Sequence, residues 1–288
     1  MRSNLLILSV FALLTACPPR DGDTLTSAEA QSALEESSIS SQAETLISDG
    51  VELNTHFTIG KAVEQAAQEL RDFIATELPC AEITLSDRTL TIEYGKLAGD
   101  CSWHGQTFGG THAVTVMRNA DHDVLVHHAW TDFHNDKVSV SGTADVTWSA
   151  AQGSRRVVHS LTWTVKAGQY AGRTGTGSGD RTQTALAAGL SEGIVIDGMR
   201  AWDGKQGHFE LDIDQVEVRW ADPLPQAGSY VLTTPNDKTL TFDFTRQDAD
   251  TIEVEISSGA HSFSFDVNAL GDVSRSGDAQ PGQRITGR

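Results

Sequence analysis

Beyond Ala81 apolar and polar positions alternate with a period of two over most of the chain. Val138, Val140, Ala144, Val146 and Trp148 alternate with Ser139, Ser141, Thr143, Asp145 and Thr147. Past a turn near Gln152-Gly153, Val157, Leu161, Trp163 and Val165 alternate with Arg156, Ser160, Thr162 and Thr164. That pattern predicts a long antiparallel hairpin with one buried face. Three shorter runs repeat it: Leu240, Phe242 and Phe244; Ile252, Val254 and Ile256; Phe263, Phe265 and Val267. Their connectors, Gln247 to Asp250 and Ser257 to Ala260, are short enough for a meander. Phe209, Leu211 and Ile213 hold one parity, whereas Val216, Val218 and Trp220 hold the other. A period of two cannot change parity without an extra residue, so a β-bulge or turn is expected at Asp214-Gln215.

Before Cys80 the period is helical. Thr26-Ser27-Ala28-Glu29 has the form of a capping box and opens a segment running to about Ser48. Its apolar positions are sparse (Ala30, Ala33, Leu34, Leu46, Ile47), so its middle, around Ser37 to Ser41, is expected to fray. In Lys61 to Leu78, by contrast, Val63, Ala66, Ala67, Leu70, Phe73 and Ile74 share one face, and Pro79 stops the helix. The expected fold is mainly β: a long twisted antiparallel sheet or partly closed barrel of about ten to thirteen strands, with one or two N-terminal α-helices packed on it. Residues 26–79 hold the helices, 80–222 the main β block, and 223–270 a C-terminal meander of the same domain after the corner at Pro223-Leu224-Pro225. The tail, 271–288, is rich in Gly, Ser, Asp and Arg and is expected to be disordered.

The first residues read as an address. Met1 and Arg2 precede an apolar run from Leu5 to Leu14, then Thr15-Ala16-Cys17. A positive start, an apolar stretch too short to span a bilayer and small residues at the cut describe a secretory signal. Leu14-Thr15-Ala16-Cys17 resembles the lipobox of bacterial lipoproteins. The resemblance implies cleavage after residue 16, lipid on Cys17, and a tether over 17–25. Pro18 rather than Asp after the cysteine favours, on the same resemblance, the outer membrane. The alternative is an ordinary signal cut near Ala16. With Cys17 committed to lipid, Cys80 and Cys101 remain as an even pair in an oxidising compartment and are expected to form a disulfide; two buried free thiols are the alternative.

Charge narrows the partners. The chain has 21 Lys and Arg against 39 Asp and Glu, a net charge of −18. Losing Arg2 with the signal takes this to −19 (−18 − 1). Nucleic acid is therefore excluded as a partner, because binding it relies on Lys and Arg neutralising phosphates. Anionic headgroups repel such a chain as well, so acyl groups on Cys17 would have to hold it at a membrane.

Candidate chemistry is thin. Seven of the ten histidines lie between His104 and His159, and strand parity turns His112, His128 and His159 to the buried face. Three inward histidines could bind zinc through three nitrogens; neutral imidazoles packed against tryptophan are the commoner arrangement, and no His-Glu-x-x-His supports a metal. Gly172 to Asp180 contains four glycines without the lysine of a P-loop or a Gly-x-Ser-x-Gly. Gly175, Gly177 and Gly179 share a strand face, which lets tryptophan or another backbone approach closely. Glu210, Asp212 and Asp214 also share one, more in keeping with a solvated surface than a cation site. The six tryptophans suit core packing better than a sugar-stacking ledge. No catalytic residue, metal or cofactor is assigned.

From Gly99 to Leu270 the chain resembles an uncharacterised type of bacterial surface lipoprotein. The matching features are Cys101 followed by Gly105, the strand pair Thr111–Met117 and Val124–Thr131, Val138 with Ser141-Gly142-Thr143, and Gly228-Ser229-Tyr230 before the meander. The resemblance implies a continuous β-sheet and carries no activity. The expected role is a non-catalytic envelope module binding an unknown protein, glycan or lipid. The alternatives are a carrier with an apolar cavity, which demands roughly 300 Å³ or more, and a metal-dependent enzyme, which demands stoichiometric zinc.

Overall fold

The computed structural model describes residues 24–55, 63–103, 106–118, 123–149, 152–189, 191–219, 221–222, 224–268 and 273–275. The signal segment, Cys17 and most of the tether lie outside them. Two helices, α1 (Ser27–Thr55) and α2 (Val63–Glu77), precede the strands. These are β1 (Glu82–Ser86), β2 (Thr89–Tyr94), β3 (Ser102–Trp103), β4 (Gln106–Thr107), β5 (Gly109–Arg118), β6 (Val124–His134), β7 (Val138–Ser149) and β8 (Ser154–Val165). They continue as β9 (Thr174–Ala185), β10 (Gly193–Gly204), β11 (Gly207–Arg219), β12 (Ala227–Thr233), β13 (Thr239–Arg246), β14 (Thr251–Ser258), β15 (His261–Asn268) and β16 (Val273–Arg275). Fourteen of them form one sheet in chain order, from which only the small β3–β4 pair stands apart. Every neighbouring pair of the large sheet is antiparallel.

The sheet does not close: β1 and β16 are its two edges, so the barrel alternative is not realised. β16 corrects the expectation of a disordered tail over three residues, because Val273 to Arg275 extend the edge by pairing with Val267 to Phe265. The change of parity in β11 is a bulge, as its pattern requires. Registers slip between Asp214 and Glu217, Gln215 adopts a φ of 47°, and its N–H donates to Asp197 Oδ1 at 2.9 Å. Gly228 opposes it at φ +87°, where a Cβ would stand 2.3 Å from the Gln215 carbonyl oxygen.

One face of the sheet is buried beneath the helices. α2 packs on β1, β2 and β5 with Leu70, Ile74 and Leu78 inward. The capping box at α1 is reciprocal, Thr26 N–H donating to Glu29 Oε2 (2.8 Å) and Glu29 N–H to Thr26 Oγ1 (3.3 Å). α1 does not fray at Ser37 to Ser41, and it runs past Ser48 to Thr55. Its buried face is Ala33, Glu36, Ile39, Ser40, Ala43, Glu44, Leu46, Ile47 and Val51, a helical stripe that is partly polar. The low hydrophobicity read as fraying comes from polar groups that pair with the sheet.

The glycine strip of β9 has the close-approach role. A Cβ on Gly175 or Gly177 would fall 2.5 or 2.7 Å from the Trp163 ring, and one on Gly179 would fall 2.4 Å from His159 Cε1. The strip makes the hollow into which those two side chains of β8 lean.

Cys80 and Cys101 are disulfide-bonded with Cα atoms 5.3 Å apart, closing a loop of 21 residues between the end of α2 and β3. Restricting the unfolded chain by such a loop contributes about 3 kcal/mol. Urea unfolding with and without reductant should show that loss, and an unchanged midpoint would mean the crosslink restrains nothing.

Candidate functional site

Each strand of the buried face offers an inward side chain every second residue, and several of these are ionisable. His159 comes from β8, Arg181 from β9 and Arg200 from β10. Arg181 lies opposite Gly198 and Arg200 opposite Gly179, so the two arginines are diagonal neighbours on one face. α1 lays Glu36, Ser41 and Glu44 over them. His159 Nε2 is 2.8 Å from Glu44 Oε1. Arg181 Nη2 is 3.1 Å from Glu44 Oε2, within ion-pair reach but without hydrogen-bond alignment. Arg200 Nη2 donates to Ser41 Oγ at 2.9 Å, and its guanidinium stacks 5.0 Å from the Trp202 ring centroid. Two turns back on α1, Glu36 is 3.4 Å from Arg173.

Burial disfavours the charged form of Glu44, but the His159 hydrogen bond and the Arg181 guanidinium outweigh it and hold the carboxyl down at about 2. Burial lowers the Arg200 pKa and raises those of Glu36 and Tyr230. Glu44 is thus a firm anion shared among three basic side chains.

Beside this cluster a cleft of about 420 Å³ opens between α1 and β9–β13. Its polar end has Glu44, Arg181 and Arg200; its apolar wall has Ile213, Tyr230 and Phe242. Another hollow of about 350 Å³ includes Gln106, Asn135, Asp136 and Lys137, and its charged residues are exposed. The cleft with buried charge is the better candidate.

The three inward histidines share a face, but only two of them meet. His112 Nε2 and His128 Nδ1 are 2.9 Å apart and fully buried, with His128 stacked on Trp130 at 5.6 Å. His159 lies across Ala144 from His128, two inter-strand gaps or about 10 Å away, and is engaged by Glu44. Among the described residues no cluster of His, Cys, Asp or Glu has the geometry of a metal site. Burial first, and then the neighbouring imidazole, holds His112 well below its ordinary value; burial holds His128 down at about 3. His104 and His122 lie outside the described residues.

Glu210, Asp212 and Asp214 are exposed on the outer face of β11. Trp130, Trp163 and Trp202 are buried in the core, Trp103 and Trp148 are half-buried, and Trp220 is outside the described residues. Arg181, Arg200, Glu44 and Tyr230 are the groups that inspection of histidines and glycines missed. A usable signal was present: Arg200 shares parity with buried Trp202, Arg181 shares the glycine-strip parity, and Glu44 falls in the helical stripe of Ala33, Ala43 and Ile47.

No protein-family model matches the chain, and neither a curated protein nor a solved structure matches it.

Proposed function

We propose that this chain is an exported, lipid-anchored, non-catalytic binding module of the bacterial cell envelope, and that its ligand enters the cleft between α1 and β9–β13. The cleft itself carries the reading: a half-open space of about 420 Å³ whose walls combine buried charge with apolar strands. Its size exceeds the ~300 Å³ at which small-molecule pockets begin. The basic groups engage Glu44, Ser41 and Trp202, an arrangement suited to holding a ligand. The envelope address rests on the lipobox-like Leu14-Thr15-Ala16-Cys17, and the disulfide suits an oxidising compartment. The outer membrane, implied by Pro18, belongs to the same proposal.

A carrier role is the second reading, favoured by the apolar wall of Ile196, Leu211, Ile213, Phe242 and Phe244. Both readings predict that the chain, isolated from its own membrane, bears acyl groups on Cys17 and a bound small molecule in native mass spectra. Cys17→Ser should release the chain from the membrane fraction and leave the bound molecule in place. Unchanged fractionation of Cys17→Ser would refute the anchor, and a spectrum free of any bound molecule would refute the cleft.

A further inference from the structure

The cleft has more positive than negative charge. Arg181 and Arg200 face one carboxylate, Glu44, which also engages His159. Arg200 hydrogen-bonds a neutral serine and stacks on tryptophan; among the described residues no carboxylate lies within ion-pair distance of it. Arg181 Nε is buried without a partner. A guanidinium removed from water requires an anion or full hydrogen bonding. Glu36 does not supply the missing charge, since it engages Arg173.

From this polar end an apolar row runs along the same face. Ile213 lies opposite Tyr230, Tyr230 opposite Phe242, Phe242 opposite Ile256, and Ile256 opposite Phe263. Exposure is partial at Tyr230, Phe242 and Ile256 and reaches 50% at Phe263. The first turn of α1 is fastened beside this half-buried row, where Leu25 N–H donates to Ser258 Oγ and Glu29 pairs with Lys238. Three inter-strand steps from Tyr230 to Phe263 cover about 14 Å, the reach of roughly a dozen saturated carbons.

We propose that the ligand is an amphiphile with one anionic headgroup, a carboxylate or phosphate monoester, seated on Arg200 and Arg181, and one acyl chain lying along Tyr230, Phe242, Ile256 and Phe263. The inference rests on the binding role proposed for the cleft. The headgroup supplies the acceptor that Arg181 Nε lacks and balances the second guanidinium. The acyl chain lies along the exposed portions of that row.

The test uses the full-length chain carrying Cys17→Ser, so that no acyl group of its own competes, titrated calorimetrically with dodecanoate and with uncharged 1-dodecanol. Dodecanoate should bind at least about tenfold more tightly, the scale of a charge-assisted hydrogen bond. Arg200→Gln should remove that preference, bringing dodecanoate affinity down to that of dodecanol. Phe263→Ser, at an exposed position, should weaken dodecanoate several-fold, and it decides the matter together with the acid-to-alcohol comparison if Arg200→Gln fails to fold. Equal affinity for acid and alcohol would overturn the anionic headgroup and leave the binding cleft standing. So would a preference that survives both Arg200→Gln and Arg181→Gln. Undiminished dodecanoate binding by Phe263→Ser would overturn the acyl path, and absence of binding by either probe would overturn both the ligand class and the cleft.

Discussion

Replacing Glu44 with alanine is expected to destabilise the protein by about 3–5 kcal/mol, the cost of leaving buried charge without its partner. The carboxylate is shared by His159 at 2.8 Å and Arg181 at 3.1 Å, and it fastens the middle of α1 to β8 and β9. Its removal strands the Arg181 guanidinium and the His159 imidazole beneath the helix and takes away one attachment of α1 to the sheet. Urea unfolding followed by far-ultraviolet circular dichroism measures the loss. Arg181→Met in the same chain should recover part of it, because the double variant no longer buries the Arg181 charge. Additive losses in the double-mutant cycle would show that the two groups do not act on one another. A loss below about 1 kcal/mol would place Glu44 among solvated ion pairs.

Acidification from pH 7.5 to pH 5 is expected to cost several kcal/mol through the buried histidine pair. His128 is held at about 3 in the folded chain against an ordinary value of 6.5, and His112 is lowered in the same sense. Between those values the unfolded chain binds more protons than the folded one, so stability rises with pH across the window and falls as pH drops below about 6.5. At pH 5 the gap of about 1.5 pH units is worth about 2 kcal/mol for His128, and His112 adds in the same direction. Glu44 joins only in stronger acid: its folded value of about 2 lies below the ordinary 4.5, so its contribution is full above about 4.5 and is lost as pH falls toward 2. Urea midpoints at pH 7.5, 6, 5 and 4 give the profile, and a His112→Phe, His128→Phe chain should show a flatter one. An unchanged midpoint between pH 7.5 and pH 5 would mean that the imidazoles are protonated, or reached by water, in the folded state.

The two events differ in how far they could be anticipated. Strand parity places His112 and His128 on the inner face, and burial there is enough to make them titrate unfavourably. Their closeness depends on register: Val114 pairs with His128, which brings His112 and His128 to diagonal positions on neighbouring strands. His159 obeys the same parity and stands two strands away, so it meets α1 instead of the pair. Parity states which face a side chain takes. It is silent on which strands are neighbours and on how far one has slid along the other.

Alternation is a local property, since each strand residue must choose one of two faces, and the buried face selects apolar side chains wherever nothing polar can be matched. For that reason the β-rich class, the meander, the bulge at Gln215 and the room above Gly175, Gly177 and Gly179 are all legible along the chain itself. The open edges at β1 and β16, the unbroken path of α1, and the meeting of Glu44 with His159 and Arg181 are decided by tertiary structure. Each depends on groups far apart in sequence, 115 residues for Glu44 and His159, whose desolvation is tolerable only when opposite charges arrive at one point together. A polar stripe on a helix looks like weakness until the sheet supplies the cations that complete it.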